Sequence, residues 1–392
     1  MSHPAPDDTN ETGTSEHPDW RDPALLRESF ASMDRLFPTA TIARGNAPSM
    51  PYEVALIDLE PLVVSEEYGT VADVLASTET DAWLVLHGGR IVAEDYVAPM
   101  TPSTPHLLMS VSKSIIGIIV GTLTERGVLG LDQQITSYVP ELASSGYAGA
   151  TLRDVLDMRS GVRFSEDYLD PDADVCLLDE AVGWAPARPT SPATLKAFLS
   201  ALVAENKHGG AFHYRSCETD VLGWVAEAAT GRRMADLAAD LLWSRLGAET
   251  DAIITLDAEG TGVFDGGICA TTRDLGRFGQ MLLDDGRSMI GEQIVSQGWV
   301  NEIVTGTPDL VAAFASGPEA DLTPGGHYHQ QFWVPAGNQV ILCVGIHGQF
   351  IYIDRSAQMV AVKFSSWPLP TDPDRMGPTL AMFGAIATHL SV

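Results

Sequence analysis

The 392-residue sequence predicts an α+β fold, an antiparallel sheet flanked by helices and joined to a helical second lobe. Strand patterns occur early and late in the chain, with helical patterns between them. The late strands also follow one another with short links, as in an antiparallel meander. With 45% hydrophobic and 19% charged residues, the composition is that of a globular protein with a sizeable core.

In chain order, "DAWLVLHGGRIVAEDYVAP" (81–99) reads as two strands around His87-Gly88-Gly89, where Gly-Gly supplies the positive φ of a tight hairpin turn. An apolar helix follows from about Ser110 to Arg126, closed by Gly127. "TLRDVLDMRSG" (151–161) reads as a helix with Thr151 as its cap and Gly161 as its stop. Residues 162–192, rich in Asp and Pro and without a clear period, read as a long loop of the kind that is often functional. "SPATLKAFLSALVAE" and "ETDVLGWVAEAATGRRMADLAADLLWSRLG" are helical by period, and "TTRDLGRFGQMLLDDG" is another capped helix. "QVILCVGI", "QFIYIDR" and "MVAVKFSS" are strands, and about 375–391 is a helix. The two strand sets are expected to join in one sheet. The implied organisation is a disordered acidic tail over 1–24, a discontinuous α/β lobe of 25–125 and 255–392, and a mainly helical lobe over 126–254.

The formal net charge of −29 argues against nucleic acid and anionic membrane surfaces as partners. The N-terminal stretch has neither the basic start nor the apolar core of a secretory signal, so the chain reads as cytoplasmic. Cys176, Cys217, Cys269 and Cys343 show no metal spacing and read as reduced, mostly buried thiols, with Cys217 inside a candidate motif. No cofactor or metal is implied, and a homodimer is allowed.

Lysine is scarce: Lys113, Lys196, Lys207 and Lys363 are all there are. Three of them read as having charged, polar or strand-end surroundings, whereas Lys113 lies in "HLLMSVSKSIIGIIVGTL". Ser110-Val111-Ser112-Lys113 is the single S-x-x-K, and one helical turn puts both side chains on the same face. A serine hydroxyl needs a base to become a nucleophile. Desolvation among Ile115, Ile116, Ile118, Ile119 and Val120 would favour a neutral lysine able to serve. The first turn of the helix also offers free N–H groups for an oxyanion. The bland alternative is a lysine whose stem covers apolar surface and whose head reaches water. Tyr214-x-Ser216, just before a helix, offers a phenol for proton transfer, or a half-buried core aromatic. "GIHGQ" (345–349) is a strand edge where glycines let a carbonyl approach the backbone, or a plain turn.

Taken together, "LLMSVSKS", "VPELA", "TLRDVLDMRSGV", Tyr214-x-Ser216, "GGICATTRDLGRFGQMLL" and "VKFSSWP" resemble the serine β-lactamase and penicillin-binding-protein superfamily, in its class C and carboxylesterase branch. "EDYLDP", "GIHGQ" and "KFSSWP" look like those of its 6-aminohexanoate-dimer (nylon-oligomer) hydrolases. The resemblance implies a β-lactamase-like fold with the active site between the two lobes. It also implies Ser110 as nucleophile, Lys113 as base, Tyr214 as proton shuttle, and the backbone N–H groups of Ser110 and Ile346 as oxyanion hole. Tyr168, Asp179, Trp184, Asp265, Ser216 and His347 fall on substrate-binding positions, the last two within the second and third motifs.

Two departures narrow the activity. Tyr-Arg-Ser replaces the usual Tyr-x-Asn, and Ile346-His347-Gly348 replaces Lys-Thr-Gly. Without that basic residue the carboxylate of a β-lactam loses its partner, whereas acidic groups such as Asp179 and Asp265 suit an ammonium-bearing substrate. The expectation is a serine hydrolase of carboxylic esters and linear amides, working through an acyl-enzyme on a small-molecule substrate. The alternatives are a β-lactamase or D-Ala peptidase, and a non-catalytic binding protein on the same fold.

Overall fold

The computed structural model describes residues 20–47 and 49–391. Its main sheet has seven strands, in the spatial order Arg90–Tyr96, Thr80–His87, Met359–Ser365, Gln349–Asp354, Val340–Gly345, Phe332–Val334, His327–His329, every neighbour antiparallel. The early hairpin turns at Gly88 and Gly89, with φ of 55° and 75°. It joins the late meander where Thr80–His87 pairs with Met359–Ser365, so the early and late strands do form one sheet.

Strand alternation sorts the side chains to two faces. Leu84, Leu86, Ile351, Ile353, Val360 and Val362 pack into the larger core with helix Thr272–Leu283. Trp83, Val85, Phe350, Tyr352 and Ala361 pack with Met382 and Phe383 of the C-terminal helix Pro373–Leu390. The sheet is thus a central layer with helices on both sides. From 126 to 246 the regular structure is helical, built chiefly from Leu152–Leu156, Asp174–Ala181, Leu195–Ala201 and Ser216–Thr230.

A smaller four-stranded sheet, Thr39–Ile42, Ala252–Thr255, Ile268–Ala270 and His106–Leu107, lies outside the sequence expectation. Strands of two to four residues are too short to show a period. Its last strand leads directly into the buried helix Val111–Glu125. That helix is embedded so closely that a Cβ at Gly121 would lie 2.4 Å from the Trp299 ring, and one at Gly117 would lie 2.5 Å from the Gln330 carbonyl oxygen.

Four local expectations change. The helix capped by Thr151 and Asp154 stops at Leu156, because Met158 turns left-handed (φ 53°) before Gly161 is reached. The 162–192 loop contains a helix, Asp174–Ala181. Lys363 is not at a polar strand end but fully buried, its Nζ donating to the Thr78 carbonyl oxygen at 3.2 Å and to Ser365 Oγ. Burial pulls its ammonium down to about 7. Residues 1–19 of the expected tail lie outside the described residues, but Trp20 is 3% exposed and packed edge-on against Trp184. Among the described residues no helix is long and apolar enough to cross a membrane, and no group of side chains is arranged to hold a metal. The four cysteines are unpaired, and Cys217 is buried with the Tyr147 hydroxyl donating to its sulfur at 3.2 Å.

Candidate active site

Ser110 sits at the N-cap of the buried helix, yet its hydroxyl makes no capping bond. Serine at that position ordinarily accepts a first-turn N–H. The residue before it, Met109, is held at φ 47°. A large side chain rarely takes that conformation, and where it persists the surroundings enforce it, often at functional sites. The serine oxygen is thus not engaged by the first-turn N–H groups of its helix.

One turn on, Lys113 is 1% exposed. Its Nζ lies 2.9 Å from Ser110 Oγ, 2.9 Å from the Asp265 carbonyl oxygen and 3.4 Å from Asp265 Oδ2. The amine is therefore buried and within reach of the hydroxyl, and its surroundings favour the charged form over the neutral one. Desolvation pulls its pKa down as expected, and the charges of Tyr214, Asp265, Glu166 and Asp220 outweigh that and raise it. An ammonium has three donors and no acceptor, and here three oxygens surround it. Ser110 Oγ therefore accepts from Lys113 and directs its own proton elsewhere.

The group facing it is Tyr214. Burial, with Glu166 and Asp265, raises its phenol above the ordinary value, and Lys113 and a hydrogen bond with Ser110 offset that only in part. Lys113 Nζ is 5.3 Å from the ring centroid, and the ring stacks on Trp333 with centroids 5.3 Å apart.

Two carboxyls brace this arrangement, Asp220 on the helix Ser216–Thr230 and Glu166 on the loop before Asp174–Ala181. Asp220 Oδ1 accepts the backbone N–H groups of Phe264 and Asp265 at 3.0 and 3.1 Å, which aims the Asp265 carbonyl at Lys113. Burial and the neighbouring Asp265 push the Asp220 carboxyl well above the usual range. Glu166 accepts from Tyr168 Oη at 2.7 Å and from the backbone N–H of Ser216, tying the 162–173 loop to the Tyr214 segment. Burial raises its pKa too.

Ser110 lies where two cavities meet. The wider, about 190 Å³, is lined among others by Glu166, Tyr168, Tyr214, Glu319, Trp333 and Ile346. The narrower, about 30 Å³, includes Arg21, Tyr168, Asp179, Trp184, Asp265 and Ile346. Ser110 and Ile346 line both, and among the described residues neither backbone N–H donates to an acceptor. A larger cavity of about 600 Å³, around Asp157, Glu302 and His329, has none of these residues.

The structure thus brings together Ser110, Lys113, Tyr214, Ile346, Tyr168, Asp179, Trp184 and Asp265. It leaves Ser216 and His347 off both cavity walls. Ser216 is 1% exposed inside the start of its helix. His347 turns at φ 59°, so its ring packs edge-on against Phe30, with Nδ1 2.6 Å from the Trp367 carbonyl oxygen. Asp179 already carries a cation, since Arg21 pairs with it directly. Arg21, Glu166, Asp220, Glu319 and Trp333 also belong to the site and lie outside the sequence expectation. Trp20-Arg21, an aromatic–cation pair closing a polar acidic stretch, was a usable signal, as was Asp220 inside an otherwise apolar helical face.

Comparison with known proteins gives three findings. The family model described as Beta-lactamase matches residues 70–385. The chain is 39% identical to the 6-aminohexanoate-dimer hydrolase of Paenarthrobacter ureafaciens over 91% of its length and 88% of that protein. Among solved structures, a Bacillus anthracis chain provisionally named a 6-aminohexanoate-dimer hydrolase superposes with a TM-score of 0.87 at 28% identity, covering 96% of this chain and 98% of that one. A family VIII carboxylesterase shares the fold, with a TM-score of 0.59 at 18% identity, covering 84% of this chain and 98% of that one.

Proposed function

The chain belongs to the beta-lactamase family and is a serine hydrolase, and from that premise we propose that Ser110 is its nucleophile and linear amides and carboxylic esters are its substrates. The observation that carries the reading is a serine oxygen released from helix capping, 2.9 Å from a buried ammonium and facing a phenol.

The proton's path follows from the hydrogens. Lys113 donates to Ser110 Oγ, so the acceptor of the serine proton is the Tyr214 oxygen as phenolate. Burial makes that phenolate the minor form at rest, and the adjacent ammonium limits the cost of forming it. As Ser110 Oγ bonds to the substrate carbonyl carbon, its proton passes to Tyr214 Oη. The N–H groups of Ser110 and Ile346 hold the oxyanion. Tyr214 then gives the proton to the departing nitrogen or oxygen, and the acyl group stays on Ser110. A water attacks that ester, its proton goes through Tyr214 to Ser110 Oγ, and the acid leaves. Tyr168 and Trp184 wall the cleft, Asp265 faces Lys113 and keeps it in place, Asp220 holds the Asp265 backbone, and Asp179 acts through its pair with Arg21.

The relative from P. ureafaciens is named for the 6-aminohexanoate dimer, and we take that linear amide as the sharpest candidate substrate for this chain. The test is a panel of p-nitrophenyl acetate, nitrocefin and the 6-aminohexanoate dimer, with wild type and Ser110→Ala. Turnover of the ester and the dimer, absent in Ser110→Ala, supports the reading. Fast nitrocefin turnover alone would favour a β-lactamase, and failure to turn over any of the three would favour a binding protein.

A further inference from the structure

We propose that Glu319, rather than Asp179, receives the cationic end of the substrate. This deepens the preceding reading and rests on Ser110 being the nucleophile.

Of the four carboxyls at the two cavities, Glu319 alone has a buried oxygen without a partner among the described residues. Asp179 is paired with Arg21. Asp265 faces Lys113 Nζ at 3.4 Å. Glu166 has one oxygen on Tyr168 Oη and the other on the Ser216 N–H. Glu319 uses Oε1 to accept the Tyr214 backbone N–H at 3.2 Å, while its Oε2 is buried and, among the described residues, without a partner. A buried carboxylate oxygen without a donor is costly, and a substrate ammonium relieves that cost.

The surroundings of Glu319 suit such a ligand. The wider cavity is lined by Trp333, Val344, Trp367 and Met376 as well as Glu319, so a polymethylene chain would lie on apolar walls with its charged end at the carboxyl. The narrower cavity, by contrast, already holds the Arg21 guanidinium against Asp179, which repels a second cation. Burial lifts the Glu319 carboxyl to about 7, as expected for an acid waiting for a counter-charge. Because the same carboxyl braces the Tyr214 backbone, occupancy at Glu319 would seat the acyl chain beside the residue that moves the proton.

The test compares p-nitrophenyl 6-aminohexanoate with p-nitrophenyl hexanoate, which differ by the ammonium. Wild type is expected to favour the cationic ester in kcat/KM. Glu319→Gln keeps an acceptor for the Tyr214 N–H and removes the charge, and it should lower the cationic-to-neutral ratio at least tenfold, mostly through KM. Asp179→Asn should move that ratio less than threefold. Glu319→Lys should turn the preference toward the anionic monoester of adipic acid. No cationic preference in wild type, or a loss of the ratio in Asp179→Asn as large as in Glu319→Gln, overturns the assignment. Hydrolysis of both esters by Ser110→Ala would instead overturn the underlying reading of the nucleophile.

Discussion

Lys113 Nζ and Ser110 Oγ are 2.9 Å apart, with the amine buried and two oxygens of Asp265 occupying its other donors. This relationship makes lysine a fixed cation that orients the serine proton away from itself. Apolar surroundings alone argue for a neutral amine, and Tyr214 together with carboxyls carried by other elements reverses that outcome.

Replacing Lys113 with Met should therefore remove both the donor to Ser110 and the charge that favours the Tyr214 phenolate. The expected loss in kcat/KM for a p-nitrophenyl ester is about 10²- to 10⁴-fold, the usual range for a positioned proton-transfer group. The remaining activity should rise only at higher pH than in wild type, because the phenol has lost its neighbouring cation. A pH–rate profile of unchanged shape would show that Lys113 does not act on Tyr214.

Asp265→Asn removes one charge that raises the Lys113 pKa. The ammonium should then be lost at lower pH, so activity should fall off on the alkaline side earlier than in wild type. Coincident alkaline limbs would mean that the Asp265 carboxylate contributes nothing to holding that proton.

Burial pushes the Glu319 carboxyl up to about 7, with Glu166 adding to the rise and the Tyr214 N–H and Arg215 opposing it. Its ionised fraction grows as pH rises through that value. The preference for a cationic over a neutral ester should accordingly strengthen between pH 6 and pH 8 in wild type, and this trend should vanish in Glu319→Gln.

Lys363 offers a test of the fold apart from the chemistry. Its folded pKa of about 7 lies below the ordinary 10.5, so between these values the unfolded chain binds more protons. Lys363 therefore contributes a term by which stability rises with pH from about 7 toward 10. Denaturant unfolding across that range should show a shallower rise in Lys363→Met than in wild type, and equal slopes would contradict the buried titration.

Gly121→Ala places a methyl group against Trp299. Overpacking of this kind costs about 1–3 kcal/mol, readable as a lower unfolding midpoint. A midpoint equal to that of wild type would mean the helix has room there.

How much was legible in sequence follows from what each signal depends on. The hairpin at Gly88-Gly89, the apolar helix and the closing meander rest on local pattern, and each is found where the pattern puts it. Ser110, Lys113, Tyr214 and Ile346 meet at one point because their motifs carry the geometry. What sequence does not show is pairing across distance. Arg21 meets Asp179 across 158 residues, Glu319 meets Tyr214 across 105, and Asp220 reaches Asp265 across 45. The charge on Lys113 is of the same kind, being favoured by Tyr214 and by carboxyls from three separate segments. His347 misled for a local reason, since a left-handed turn swung its ring away from the cleft.

The most direct test of the central claim is covalent labelling with a fluorophosphonate, read by intact mass and peptide mapping alongside esterase activity. The account predicts one adduct, on Ser110, gained in step with the loss of activity and absent in Ser110→Ala. An adduct on another residue, or full activity after Ser110 is labelled, would contradict it.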